Sequence, residues 1–106
     1  MKHYLTRAQM RELAEIGFNT RQLATHECNE DGITYFSLSI GDLIEMLPRK
    51  ISTNRMLSSG LDIYAPDEDD EIWLVGYPMS SIQSSSKELI NALFNLVVQF
   101  KKEGKI

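Results

Sequence analysis

The C-terminal segment constrains the fold most, because its apolar residues surround most of a helix. They recur at helical spacing as Leu89, Ile90, Leu93, Phe94, Leu96, Val97 and Phe100. The polar residues of the segment share one narrow stripe, formed by Asn91, Asn95, Gln99 and Lys102. An apolar stripe of about 100° is enough to dock a helix on one surface. We therefore expect this helix to contact both a sheet and neighbouring helices.

A capping pair and a glycine are predicted to mark the two ends of this last helix. Ser85 and Glu88 have the spacing of a capping box, in which each side chain bonds the backbone N–H of the other residue. Gly104 is a natural stop, because glycine readily adopts the left-handed conformation that ends helices. The serine-rich residues 80–86 before the helix are predicted to be a flexible linker.

The size of the chain allows one domain with one core. Of its 106 residues, 42% are hydrophobic and 25% are charged, as in ordinary soluble domains. A folded chain of this size exposes roughly 6,000 Å² and buries about 65% of its unfolded surface. Disordered, collagen-like and disulfide-stabilised classes do not fit this composition. We expect a single domain over residues 1–106.

The N-terminal region predicts an amphipathic helix with a defined start. Thr6 and Gln9 form a capping box. Leu5 and Met10 are spaced to pack against each other across the cap as a hydrophobic staple. Gly17 is expected to end this helix.

A hairpin and a short second helix are predicted next. Residues 29–32 read Asn-Glu-Asp-Gly, a turn sequence, and residues 22–38 are predicted to be a hairpin whose first arm is Leu23–Cys28. Ser39 or Ser37 is expected to begin the helix, and Ser39 with Asp42 resembles a capping box, although aspartate replaces the usual glutamate or glutamine. Pro48 ends this helix, because the residue before a proline disfavours helical geometry.

A second hairpin completes the predicted sheet. Its arms are residues 60–65 and 71–77, they are joined by residues 66–70, and Pro78 stops the outgoing arm. The element order is therefore αββαββα. The simplest architecture is an α+β two-layer sandwich, a four-stranded antiparallel sheet with three helices on one face.

Patterns for metal binding are incomplete. His26 and Cys28 would share one face of a strand. Zinc normally takes three or four protein ligands, however, and the only other histidine is His3. The five consecutive acids at residues 67–71 lack the spacing of an EF-hand calcium loop and are more typical of a solvated turn. We predict neither a metal nor a cofactor.

Catalytic patterns are also missing. The chain has no Gly-x-Ser-x-Gly, phosphate loop or dinucleotide fingerprint. Asp42 and Glu45 lie one helical turn apart, which is more typical of a solvated helix face than of an acid–base pair. We predict no catalytic residues and a protein that is not an enzyme.

Charge and cysteine usage favour a cytoplasmic protein. Cys28 is the single cysteine, which fits a reducing compartment. No signal-peptide core is expected at the polar N-terminus, and no segment reaches the roughly 20 apolar residues of a membrane span. Fifteen acidic residues against eleven basic ones disfavour nucleic-acid and membrane partners. The basic groups at residues 49–55 and 101–105 are expected to be a solvated loop and the charged end of a helix.

The second hairpin is the most informative element for function, because both of its faces are apolar. A one-residue slip of register exchanges which residues face the core. We favour the register in which Trp73 and Val75 pack inward with Leu61 and Ile63. Tyr64, Ile72 and Leu74 then project from the outer face, whereas Trp73, Val75 and Tyr77 project in the other register.

An apolar patch of this kind usually marks an interaction site. We therefore predict an interaction surface at Tyr64, Ile72 and Leu74. The alternative is that the chain covers the patch itself, with the segment around Met79 and Ile82.

The chain resembles a group of small, uncharacterised bacterial proteins associated with mobile elements. The motifs that carry the resemblance are Tyr4-Leu5-Thr6-x-x-Gln9-Met10 with Leu13 and Ile16-Gly17, the segment Asp42-Leu43-Ile44-Glu45-Met46-Leu47-Pro48, Trp73-Leu74-Val75-Gly76-Tyr77, and Leu89-Ile90-Asn91-Ala92-Leu93. These are caps, core faces and a strand. The resemblance implies a fold and a bacterial setting, and no activity.

The leading hypothesis is a non-enzymatic interaction module that binds another protein, or itself as a homo-oligomer. A second hypothesis is a binder of single-stranded nucleic acid. It would stack bases on Tyr35, Tyr64, Trp73 or Tyr77 and hold phosphates with Arg49, Lys50 and Arg55. A third hypothesis, a small ligand-binding domain or enzyme, lacks a convergent polar cluster.

Overall fold

The computed structural model describes residues 1–52, 58–78 and 80–106. The helices in these ranges are α1 (Arg7–Glu15), α2 (Thr20–Leu23), α3 (Ile40–Met46) and α4 (Leu89–Lys102). The strands are β1 (His26–Glu30), β2 (Ile33–Ser37), β3 (Lys50–Ser52), β4 (Ser58–Gly60), β5 (Asp62–Tyr64), β6 (Trp73–Gly76) and β7 (Gln83–Ser86). Each strand pairs antiparallel with its neighbour in its sheet.

The start of α1 confirms the predicted capping box. The Gln9 N–H donates to Thr6 Oγ1 at 3.2 Å, and the Thr6 N–H donates to Gln9 Oε1 at 3.0 Å. Leu5 and Met10, the two residues of the predicted staple, are both buried. Gly17 follows the helix with a φ of 111°, which favours glycine. Local signals therefore specify this helix completely.

The cap of α3 is confirmed in the same way. The Asp42 N–H donates to Ser39 Oγ at 3.2 Å, and the Ser39 N–H donates to Asp42 Oδ2 at 2.8 Å. Aspartate therefore reaches back to the capping residue here, as glutamate or glutamine usually does. The helix ends at Met46, before Pro48.

The first hairpin is confirmed, but its first arm begins at His26, and Leu23, the expected start of that arm, ends α2. Strands β1 and β2 pair from His26 opposite Ser37 to Glu30 opposite Ile33. Asp31 and Gly32 form the two-residue turn, with φ values of 53° and 81°. Positive φ at both positions is typical of the type I′ turn, whose twist matches that of the flanking strands.

The second hairpin adopts the favoured register. Asp62 lies opposite Gly76, Ile63 opposite Val75, and Tyr64 opposite Leu74. Since side chains alternate between the faces of a strand, Ile63 and Val75 share the inner face. Tyr64 and Leu74 share the outer face.

The predicted serine linker is wrong. Residues 83–86 form β7, which pairs with β6 from Gly76 opposite Gln83 to Trp73 opposite Ser86. Ser85 therefore lies in a strand and caps no helix. Glu88 is the N-cap of α4, and its side chain makes no capping hydrogen bond. Serine has no strong strand preference, so this pairing depends on the free edge of β6 rather than on local propensity.

The predicted four-stranded sheet with three helices is also wrong. The described residues form four helices and three small separate sheets, β1–β2, β3–β4 and β5–β6–β7. The two hairpins cannot join through β6, because β5 occupies one of its edges and β7 the other. The first hairpin is also followed in the chain by α3 and by the β3–β4 pair. The protein remains α+β in class.

The core forms around α4, as its sequence predicts. This helix packs against α3, β6 and β7. Eight of its side chains are buried: Leu89, Ile90, Ala92, Leu93, Phe94, Leu96, Val97 and Phe100. The ring of Tyr77, just after β6, meets the ring of Phe100 edge-on at 5.6 Å. The polar stripe is also used, since Asn91 Oδ1 accepts hydrogen bonds from Gln9 Nε2 at 2.8 Å and Lys2 Nζ at 3.1 Å.

The molecule is flat and exposes more surface than its length requires. Its principal extents are 49, 36 and 17 Å. The accessible surface is 6945 Å², against the roughly 6,000 Å² expected for a folded chain of this size. None of the helices in the described ranges is both long and apolar enough to cross a bilayer.

Candidate interaction surface

The outer face of β5 and β6 carries the three residues predicted from the sequence. We use "outer face" for Tyr64, Ile72 and Leu74 together. The side chain of Tyr64 lies opposite Leu74, and Ile72 precedes β6 on the same side as Leu74. Tyr64 is 51% exposed and Ile72 is 42% exposed, whereas Leu74 is partly buried. The structure therefore brings the three residues to one face and leaves two of them open to solvent.

A shallow groove of about 200 Å³ adjoins this face. Its lining residues are Tyr64, Leu74, Gly76, Tyr77, Pro78, Ser80 and Gln83. Hydrogen bonds to backbone carbonyls hold the far wall, since Ser80 Oγ donates to Tyr77 O at 2.6 Å and Ser59 Oγ donates to Pro78 O. The groove is thus a fixed depression beside the exposed tyrosine ring.

The segment that could have covered the outer face does not bury it. Ile82 is partly buried against the core, while Tyr64 and Ile72 stay exposed. Met79, the other residue named for this cover, lies outside the described residues. Apolar surface on the outer face is therefore accessible to a partner.

Tyr64 offers a polar contact as well as an apolar one. Its hydroxyl donates to Asp62 Oδ2 at 3.2 Å. This hydrogen bond and the negative charge of Asp62 raise the pKa of Tyr64 above its ordinary value. The phenol therefore stays neutral and keeps its proton near neutral pH.

The expected burial of Ile63 is wrong. Val75 and Tyr77 on the inner face are buried, but Ile63 is 39% exposed. Helix α4 covers β6 and β7, and β5 lies at the edge of their sheet. Apolar surface therefore continues from the outer face around the edge of β5.

The acidic loop is exposed next to this edge. Residues 67–71 are all exposed. None of them forms an ion pair with another residue of the described ranges. Its one internal hydrogen bond joins the Asp69 N–H to Asp67 Oδ1 at 3.0 Å. The loop thus presents five uncompensated carboxylates to solvent.

Of the two residues considered as a metal pair, His26 and Cys28, His26 contacts the cap of α3. The His26 Nε2 lies 3.3 Å from Asp42 Oδ2, the same carboxylate that caps α3, and the His26 ring lies 5.2 Å from that of Tyr4. Within the described ranges, no three His, Cys, Asp or Glu residues are grouped as metal ligands. Burial raises the pKa of Cys28, which disfavours the reactive thiolate. The contact between His26 and Asp42 was not predicted, because it depends on where α3 packs.

The aromatic residues considered for base stacking do not form one open platform. Tyr77 is buried, Trp73 is partly buried, and Tyr35 donates its hydroxyl to Leu5 O at 2.9 Å. Tyr64 is the exposed member of the set. Arg49 and Lys50 are exposed at the start of β3, and Arg55 lies outside the described residues.

A second apolar patch was missed by the sequence analysis. Phe36 is 59% exposed on β2, and a groove of about 310 Å³ lies beside it. The residues lining this groove are Met10, Arg11, Ala14, Thr20, Arg21, Ala24 and Phe36. The alternation of side chains along β2 could have predicted this patch. Tyr35 and Ser37 face inward, so Phe36 lies on the opposite face.

Comparisons with protein-family models, curated proteins and solved structures give no match. The function of the chain is therefore inferred from its own residues and their geometry.

Proposed function

We propose that the chain is a non-enzymatic protein–protein interaction module that binds its partner through the outer face. The observation that carries this proposal is the exposure of Tyr64 and Ile72 on one face beside a shallow groove. Tyrosine is favoured at binding hot spots because it combines a large apolar ring with a hydrogen-bonding hydroxyl. A partner could bury the ring and bond the hydroxyl at the same time.

The shape of the molecule supports the proposal. Its surface exceeds the expectation for a chain of this length, and the outer face lies on the side of the sheet opposite α4. Exposed apolar groups that cluster on a sheet usually mark a contact surface. The single cysteine fits a cytoplasmic location, and the family resemblance suggests a bacterial setting.

Affinity capture with paired variants tests the proposal. A partner should be recovered by the wild-type chain and lost when Tyr64→Ser and Ile72→Ser are combined. Phe36→Ser is the matched control, because Phe36 is also exposed but lies on the first hairpin. Recovery of the same proteins by all three chains, or of none by the wild type, would contradict the proposal.

The nucleic-acid hypothesis makes a different prediction. It assigns base stacking to Tyr64 and phosphate contacts to Arg49 and Lys50, which are exposed on or next to β3. Salt-sensitive anisotropy changes with a labelled single-stranded oligonucleotide, lost in Tyr64→Ser, would favour it over the protein partner.

A further inference from the structure

The backbone of β5 has an open edge whose direction follows from the hydrogen bonds. The Tyr77 N–H donates to Ile82 O at 3.0 Å, on the β7 side. Backbone groups alternate in direction along a strand, so the N–H groups of Leu74 and Gly76 point to β5. Asp62 and Tyr64 lie opposite these two residues. The N–H and C=O of Ile63 therefore point away from β6.

Arg49, just before β3, covers only the start of this edge. The Leu61 N–H donates to Arg49 O at 3.2 Å, on the same side as the outward groups of Ile63. From Ile63 onward, no described residue hydrogen-bonds to this side of the chain, and Ala65 continues the alternation in an exposed position. The unpaired edge thus offers the N–H and C=O groups of Ile63 and Ala65.

We propose that a second copy of this chain pairs antiparallel along this edge, with Ile63 opposite Ala65 of the second copy. The inference goes beyond the proposed function, because it uses the backbone edge of β5 rather than the outer face of the same hairpin. A two-fold axis passes between the two copies of Tyr64, so the pairing of Ile63 with Ala65 occurs twice. Four backbone hydrogen bonds then form, and they use every outward N–H and C=O group of Ile63 and Ala65. An exposed edge strand is a ready template for such pairing.

Charge complementarity favours a second copy as the occupant. Arg49 already occupies the edge beside Leu61, so the second copy leaves the edge after Ala65 and its residue 67 passes next to Arg49. The acidic loop of each copy then faces the exposed Arg49 and Lys50 of the other. Neither Arg49 nor Lys50 forms an ion pair within the described parts of its own chain. The two-fold axis makes this contact twice.

The contact is small, and its size sets the expected affinity. Only a few residues per copy take part, so the buried area falls below the roughly 1,200 Å² of stable complexes. We therefore expect reversible dimers that form at micromolar to millimolar concentrations of protein. The attraction between the acidic loop of one copy and Arg49 and Lys50 of the other should weaken as salt is added.

Sedimentation velocity over a concentration series, up to about 1 mM, tests the proposal. The wild type should shift from monomer to dimer. Ile63→Lys places a charge at the edge and should weaken dimerisation about tenfold or more, through lost backbone bonds. Ile33→Lys is the matched control, because Ile33 is similarly exposed but lies on β2, away from both this edge and the outer face. Its dimerisation should match the wild type.

Amide exchange of the wild-type chain keeps the test independent of how the variants fold. The amides of Ile63 and Ala65 should exchange more slowly as concentration rises, whereas those of Asp62 and Tyr64 should not change. A wild type that stays monomeric, amide exchange that does not depend on concentration, or equal weakening by Ile33→Lys would each overturn the proposal. If the wild type stays monomeric but captures another protein, and the double variant Tyr64→Ser with Ile72→Ser does not, the proposed function still holds and only the dimer is excluded.

The charged contact has its own test. The double variant Arg49→Glu with Lys50→Glu reverses the charge of the basic pair and should weaken the dimer. Adding Asp67→Lys and Asp69→Lys to that variant should restore dimerisation. Weakening without restoration would contradict the predicted placement of the acidic loop.

Discussion

Gly76 lies where β7 passes closest to β6. A Cβ built there would be 2.7 Å from Ile82 O and 2.8 Å from Gln83 Cβ. Both distances are shorter than van der Waals contact, and one of the atoms belongs to the backbone. Absence of a side chain therefore lets the third strand close on the sheet and shapes the groove beside Tyr64.

We expect Gly76→Ala to destabilise the fold by about 1–3 kcal/mol, because β7 must move away. Gly41→Ala is the control. Its Cβ would lie 3.8 Å from Ser39 Oγ, an ordinary contact inside α3, and alanine should be neutral or stabilising by up to about 1 kcal/mol. Urea denaturation of both variants measures the difference. Equal stabilities would contradict the close packing of β7.

Tyr77 joins the sheet to the helices from inside the core. It is 2% exposed, packs on Phe100, and donates its hydroxyl to Pro48 O. Burial raises the pKa of Tyr77 from 10.0 to about 12. The folded protein therefore favours the neutral phenol, since a phenolate would be desolvated and would lose its donated hydrogen bond.

The shift in the pKa of Tyr77 predicts a loss of stability at alkaline pH. Because the folded pKa is the higher one, its contribution is complete below pH 10 and is lost as pH rises towards about 12. Tyr77→Phe should remove this part of the pH dependence, with Tyr4→Phe as the exposed control. Denaturation midpoints measured across this range test it. The same alkaline slope in wild type and Tyr77→Phe would contradict the assignment.

At the scale of elements, hydrogen bonds distinguish true caps from sequences that only resemble them. Thr6 has both bonds of a capping box, whereas Ser85 is an exposed residue of β7. We expect Thr6→Ala to cost about 1 kcal/mol of unfolding free energy. Ser85→Ala should change it by less than about 0.5 kcal/mol. Thermal or urea unfolding compares them, and a larger cost at Ser85 would restore it as the cap of α4.

Local signals predicted α1, α3, α4 and the two hairpins but not the short α2, and long-range pairing determined the rest. The caps at Thr6 and Ser39, the turn at Asp31 and the hydrophobic surface of α4 depend on neighbours within a few residues. Strand β7 could not be predicted, because a serine-rich segment becomes a strand only when β6 offers it an edge. The separation of the sheets follows from that pairing.

The candidate site was partly predictable for the same reason. Alternation along the hairpin placed Tyr64, Ile72 and Leu74 on one face, and the favoured register is the observed one. The exposure of Ile63 could not be predicted, since it depends on α4 covering β6 and β7 but not β5. Phe36 was overlooked because the first hairpin was expected inside a continuous sheet.

At the scale of the whole molecule, one helix organises a core that is too small to cover every strand. Helix α4 buries β6 and one side of β7, while β5 and the first hairpin keep apolar side chains in solvent. The molecule is 17 Å thick along its shortest axis, and Tyr64 and Ile72 of the outer face stay exposed. These exposed residues are the surface that the proposed partner would cover.

Oxidative footprinting tests this claim most directly, because it reports the solvent exposure of individual side chains. Labelling of the dilute pure protein is compared with labelling in a concentrated lysate of the cells that express it, with oxidant dose matched by an added reporter peptide. The account predicts that Tyr64 and Ile72 are strongly labelled in the pure protein and protected in the lysate. Equal labelling of both residues in the two samples would contradict the claim that the outer face is an interaction surface.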